Sequence, residues 1–192
     1  GTIRIKVANK SSVYDEYARY PLSHANTIED LEEFMWPDPK WWDFTSMDKA
    51  IGDSHKKYYI KMETGGLFEL AWALTGMEKF FMDMIMNPEI PHYIMNRITQ
   101  FYCEYVKRAM DACGDKIDMI YTYDDIAGQN GLLMSRDMLE EFIFPYHRRL
   151  NSVIKSYNKT IMYHSCGAIT TVIDMLEKLP IDVLNPLQPR AK

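Results

Sequence analysis

Ile117-Asp-Met-Ile-Tyr-Thr-Tyr-Asp-Asp125 and, one helix later, Thr160-Ile-Met-Tyr-His-Ser-Cys-Gly167 are the stretches on which the fold turns. Each is a short run of aliphatic and aromatic residues ending in polar ones, which reads as a strand. Between them Ser135 is placed to cap a long amphipathic helix. Leu139, Phe142, Ile143, Tyr146, Leu150, Val153, Ile154 and Tyr157 share its apolar face. Pro145, inside that helix, lacks an N–H and should kink or split it. After Gly167, residues 169 to 178 read as a further helix and 181 to 184 as a strand ending at Asn185-Pro186. Strands alternating with helices imply a parallel sheet. Chemistry in such folds sits at the C-terminal ends of the strands, in closed barrels and open sheets alike. No Gly-x-Gly-x-x-Gly follows any strand, so a dinucleotide-binding sheet has little support.

Upstream, Thr2 to Ala8 alternates in polarity and reads as a strand, with residues 13 to 20 as its hairpin partner. Thr27 with Asp30 three residues on predicts the capped start of a short helix that Pro37 ends. Trp36, Trp41 and Trp42 cluster around Pro37 and Pro39, either as a packed loop or as the aromatic wall of a ligand site. Residues 58 to 62 read as a strand ended by Gly65-Gly66. Two short helices follow, separated by Gly76. A long helix capped by Asn87, with Pro88 at its first position, runs to Gly114.

The whole chain has 192 residues, 47% hydrophobic and 26% charged, a composition that fits a globular domain rather than a disordered one. Net charge is −5, and the only tight basic clusters are Lys56-Lys57 and Arg148-Arg149, which argues against nucleic acid as a partner. No apolar run approaches the roughly 20 residues that span a bilayer, so no membrane partner is expected. Three cysteines fit a reducing compartment, and the cytoplasm is the expected location. The chain starts at Gly1 and stops just past a strand-like segment, so a piece of a longer protein is expected.

His164 and Cys166 are two apart at a strand end, so both side chains point the same way. An imidazole and a thiolate suit zinc, but a catalytic zinc takes three protein ligands, and spacing supplies two. Cys103 and Cys113, on the apolar side of the long helix, read as small buried hydrophobes. Asp124 and Asp125 are adjacent at the end of the preceding strand. Alternation sends one inward and one away, and either could serve as ligand, base or partner to a metal-bound His. Gln129, Asn185 and Gln188 are candidates to hydrogen-bond substrate in the same mouth. His24, His55 and His92 read as surface or structural. His147, beside two arginines in mid-helix, is expected to face solvent or make a local hydrogen bond.

The run from Tyr123-Asp-Asp-Ile-Ala-Gly through Ser135 to Phe144-Pro-Tyr146 and Arg149 resembles the uroporphyrinogen decarboxylase superfamily. His164-Ser-Cys-Gly167 and Asn185-Pro-Leu-Gln188 fit the two strands that follow, and the likeness covers most of the chain. It implies a (β/α)8 TIM barrel of which residues 1–192 form one domain, the central part, without the N-terminal and C-terminal strands. The His-x-Cys motif is similar to that of the zinc-dependent, corrinoid-linked methyltransferases of the superfamily. By that resemblance His164 and Cys166 are zinc ligands, and the third ligand position lies beyond Lys192. The activity implied moves a methyl group between a corrinoid (cobalamin-type) carrier and a thiol. The partners implied are a small thiol or methyl donor and a corrinoid protein. Two other readings stay open: a metal-free carboxy-lyase acting on a tetrapyrrole, in which Arg148 and Arg149 meet substrate carboxylates, and a barrel piece that only binds a partner.

Overall fold

A computed structural model describes residues 1–191. The chain opens with an antiparallel hairpin, β1 (Ile3–Ala8) and β2 (Val13–Arg19). The Asn9 side chain accepts from the N–H groups of Ser11 (2.9 Å) and Ser12 (2.8 Å) and so fixes the turn. Helix α1 (Ile28–Glu32) begins with the expected reciprocal cap. Thr27 accepts from the Asp30 N–H, and Asp30 accepts from the Thr27 N–H. Helix α2 (Phe44–Ile51) is capped by Asp43 and leads to β3 (Lys61–Glu63). This strand is shorter than the sequence suggests, because Tyr58 and Tyr59 lie exposed before it. Helices α3 (Leu67–Thr75) and α4 (Met77–Met86) meet at Gly76, whose φ of 94° suits glycine. Asn87 closes α4 rather than opening α5 (Glu89–Cys113), which starts one residue later than read and ends at Gly114.

Strand β4 (Met119–Tyr123) is followed by a two-residue ribbon, β5 (Ala127–Gly128) against β6 (Gly131–Leu132), too short to show a period in the sequence. Ser135 caps α6 (Arg136–Met138), which widens into a π-turn over Leu139–Ile143 before α7 (Phe144–Ser156). The Phe144 N–H reaches back to the Leu139 carbonyl. Pro145 has no N–H for the regular ladder, so the helix changes winding there, as expected. Strand β7 (Thr160–His164) follows. The helix expected after Gly167 shrinks to a 3₁₀ turn at Thr170–Val172 and a single turn, α8 (Ile173–Leu176), before β8 (Val183–Asn185).

The strands β3, β4, β7 and β8 lie side by side in that order, all parallel, as in a section of a TIM barrel. Pairing Tyr123 with His164, and His164 with Asn185, sets the strand ends level. Along β4 and β7 burial alternates. Ile120, Thr122, Ile161 and Tyr163 point into the helix layer and are buried, whereas Tyr121, Tyr123, Met162 and His164 line the other, half-exposed face. The core between sheet and helices is apolar: Phe68, Ile94, Val106, Phe142, Leu150 and Ile154 are all buried in it. Cys103 and Cys113 are buried in it too, as expected. Among the described residues no helix is long and apolar enough to cross a membrane.

Candidate metal centre

The half-exposed face of the sheet delivers three donors to one point. Asp125 extends β4 by two residues, in phase with Tyr121 and Tyr123. Cys166 extends β7 in phase with His164. His164 Nε2 lies 3.4 Å from Cys166 Sγ and 3.6 Å from Asp125 Oδ1. All three ligand atoms lie within 4.8 Å of one another. The Cys166 N–H donates to Asp125 Oδ1 at 2.7 Å, tying the two strand ends together. His164 Nδ1 meets Asn185 Oδ1 at 2.9 Å. An amide oxygen only accepts, so Nδ1 carries the proton and Nε2 presents its lone pair to the cluster.

These donors can be tested against zinc. Zinc bonds of about 2.0–2.3 Å at tetrahedral angles separate N from S by about 3.5 Å and N from O by about 3.4 Å. The observed 3.4 and 3.6 Å match within the tolerance expected of a metal site. One imidazole nitrogen, one sulfur and one carboxylate oxygen are donor types that suit a borderline-soft ion. The electrostatics agree. Partial burial and the Asp125 carboxylate push the Cys166 thiol up, opposed by a hydrogen bond from Gln188. Burial, then the Asp124 carboxylate, lifts the Glu69 carboxyl, whose Oε1 accepts from the Asp125 N–H at 3.3 Å. A cation placed here relieves this crowding of acidic groups.

The remaining candidates divide. Gln188 Oε1 accepts from the Gly167 N–H (3.0 Å) and from Gln129 Nε2 (3.1 Å), so Gln129, Asn185 and Gln188 all converge on this mouth. Gly167 has φ 90°, and a Cβ there would run into the Ala127 carbonyl, so the turn after Cys166 admits only glycine without strain. Asp124 goes the other way. It is fully buried in the helix layer, where it accepts from the N–H groups of Phe68 and Glu69 at 2.9 Å each and from His147 Nε2 at 2.6 Å. Helix α3 has no side-chain cap of its own at Gly66, and the Asp124 carboxylate takes that place at its N-terminus.

His147 corrects the sequence reading: it is completely buried, not solvent-facing. Ile143, His147, Leu150 and Ile154 form one stripe at helical spacing, a signal outweighed in the sequence by the neighbouring arginines. Glu69 was missed because nothing local marks it. His92 stacks on Phe142 and bonds Tyr146, and His55 bonds the Gly52 carbonyl, both structural roles. Arg148 is paired with Glu140 on the helix surface.

No curated protein matches the chain. Among solved structures, a methyltransferase from Methanosarcina mazei superposes with a TM-score of 0.68 at 16% identity. The match takes in 96% of this chain and 52% of that one, so the chain spans about half the length of that neighbour. At that identity the likeness is one of fold. The family model for uroporphyrinogen decarboxylase (URO-D) matches residues 22–186, and the chain belongs to that family.

Proposed function

We propose that the intact protein is a zinc-dependent methyltransferase that moves a methyl group between a corrinoid and a thiol. The observation that carries this reading is the meeting of His164 Nε2, Cys166 Sγ and Asp125 Oδ1 at one point at the strand ends, a donor set that suits zinc. Zinc held by these residues would supply the positive charge that favours the ionised form of a substrate thiol at neutral pH. Asn185 fixes the His164 tautomer and ring plane. The backbone bond from Cys166 to Asp125 sets the spacing of the two strand ends. Gln188 is held beside the mouth by the Gly167 N–H and Gln129. The fold likeness to a methyltransferase supports the reaction class. The corrinoid and the thiol come from the family resemblance of the His-x-Cys motif.

The test is metal analysis of the purified protein and of Cys166→Ser and Asp125→Ala, followed by transfer from methylcobalamin to 2-mercaptoethanol. The expected result is about one zinc per chain, lost in Cys166→Ser, with activity that follows zinc content. No zinc, together with a silent Cys166→Ser, refutes the proposal and returns the metal-free carboxy-lyase reading.

A further inference from the structure

The loop from Phe34 to Trp42 folds over the outward side of α5 and borders a half-open cavity of about 1060 Å³. None of Asp125, His164 and Cys166 lines it, so it is separate from the candidate metal centre. Its walls are aromatic. Trp41 stacks on Trp42 at 6.4 Å and 11°, and Trp42 packs edge-on against Phe101. Trp41 is 61% exposed and Trp42 44%. Cations outnumber acids in its lining: Lys40, Arg97, Lys107 and Arg149 against Asp38 and Glu104. Arg97, Lys107 and Arg149 have no carboxylate within ion-pair distance among the described residues, and Arg149 donates to Asn96 Oδ1 at 2.6 Å. Of the two acids in the same lining, Glu104 pairs with Arg108, and Asp38 accepts from the Lys40 N–H. Arg97 lies with its guanidinium 5.4 Å from the Trp36 ring, and its Nε is buried without any protein acceptor.

Arg97 can thus take an anionic acceptor, and the exposed indoles can take a flat apolar surface. One molecule can supply both. We propose that the cavity is a second ligand site, taking a planar aromatic ring that bears a phosphate or carboxylate. The ring stacks on Trp41 and Trp42, and the anionic group is held by Arg97 with Arg149 and Lys107 near it. The volume is at the upper end of small-molecule sites, room for a ring of two or three fused cycles with its substituent.

Three of the four tryptophans line the cavity, so indole fluorescence reads its occupancy directly. The probes are flavin mononucleotide (ring and charge), riboflavin (ring alone) and inorganic phosphate (charge alone). Saturable quenching by flavin mononucleotide is expected. Riboflavin should bind about tenfold more weakly, the factor one charge-assisted contact provides. Phosphate alone should leave the signal unchanged. Arg97→Gln and the exposed Trp41→Ala should each weaken the flavin mononucleotide complex by about tenfold or more, with circular dichroism unchanged. Arg149→Gln serves in place of Arg97→Gln if that variant does not fold. Asp125→Ala should bind the probe normally, which separates this site from the metal centre. Equal binding of the two flavins, no saturable quenching, or full affinity in the Arg97 and Trp41 variants would overturn the proposal.

Discussion

Replacing Asp124 by alanine tests the buried network behind the mouth. The carboxylate is fully buried and accepts three hydrogen bonds: two at 2.9 Å from the α3 N-terminus and one at 2.6 Å from His147. Its removal leaves three donors without acceptors in a place water does not reach. Breaking one side of such a buried pair costs roughly 3–5 kcal/mol. Total stability is typically about 5–15 kcal/mol, so this is a large share of it. For a chain of this size each kcal/mol shifts the midpoint by roughly 2–4 °C, so Asp124→Ala should melt about 6–20 °C lower. Asp124→Asn keeps the shape and one acceptor oxygen, and should fall between. Thermal and urea unfolding followed by circular dichroism at neutral pH gives the numbers. Amide exchange should also quicken at Phe68 and Glu69, the two N–H groups released. If Asp124→Ala loses less than about 1 kcal/mol, as an ordinary surface substitution would, the carboxylate is not holding α3 and the reasoning fails.

Gly167→Ala forces a side chain into positive φ and against the Ala127 carbonyl. A loss of roughly 2–4 kcal/mol is expected in urea unfolding, far above a typical Gly-to-Ala change in a loop. Asn185→Leu removes the acceptor that orients His164, and should weaken zinc binding roughly 10–100-fold in a chelator competition while leaving His164 and Cys166 in place. Hydrogen bonds lower the pKa of both helix-capping acids from the ordinary 3.8: Asp30 through the N–H groups of Asn26 and then Thr27, Asp43 through the Thr45 hydroxyl and then its N–H. A depressed carboxyl contributes stability above its unfolded pKa and loses it as pH falls through the folded one. Asp30→Asn with Asp43→Asn should therefore flatten the fall in stability below about pH 4, read as the pH dependence of the melting midpoint.

What could be read from the residues alone was what local rules fix. The capping box at Thr27, the Gly76 break, the Pro145 disruption and the same-face pair His164 and Cys166 all follow from a few neighbouring residues. The third donor did not. Alternation says that one of Asp124 and Asp125 enters the mouth, but which one depends on where the strand stops and how it aligns with β7, a matter of long-range pairing. The helix after Gly167 was overread because its apolar spacing is also satisfied by a 3₁₀ turn and one helical turn packing Val172, Met175 and Leu176. Glu69 and Asp125 are 56 residues apart and meet only because α3 is pinned at its N-terminus.

That pinning links the buried network to the metal centre. Asp124 and Asp125 are consecutive, one in the helix layer and one in the mouth, so fixing the first with three hydrogen bonds fixes the backbone that aims the second. Asp124 also holds the Glu69 N–H, and Glu69 in turn accepts from the Asp125 N–H, closing a loop of contacts around one candidate ligand. His147 completes the loop from α7, with its ring against Tyr163 on β7, the strand that carries His164. Supporting contacts of this kind set ligand geometry as strongly as the ligands themselves. Asp124→Asn should therefore weaken zinc binding by roughly tenfold although Asp124 faces away from the ion, and His147→Gln should do the same. Chelator competition at a temperature where both variants remain folded separates this from lost stability. If stability falls while zinc affinity holds, the network only anchors α3, and Asp125 owes its aim to its contacts with β7, the Cys166 backbone bond among them.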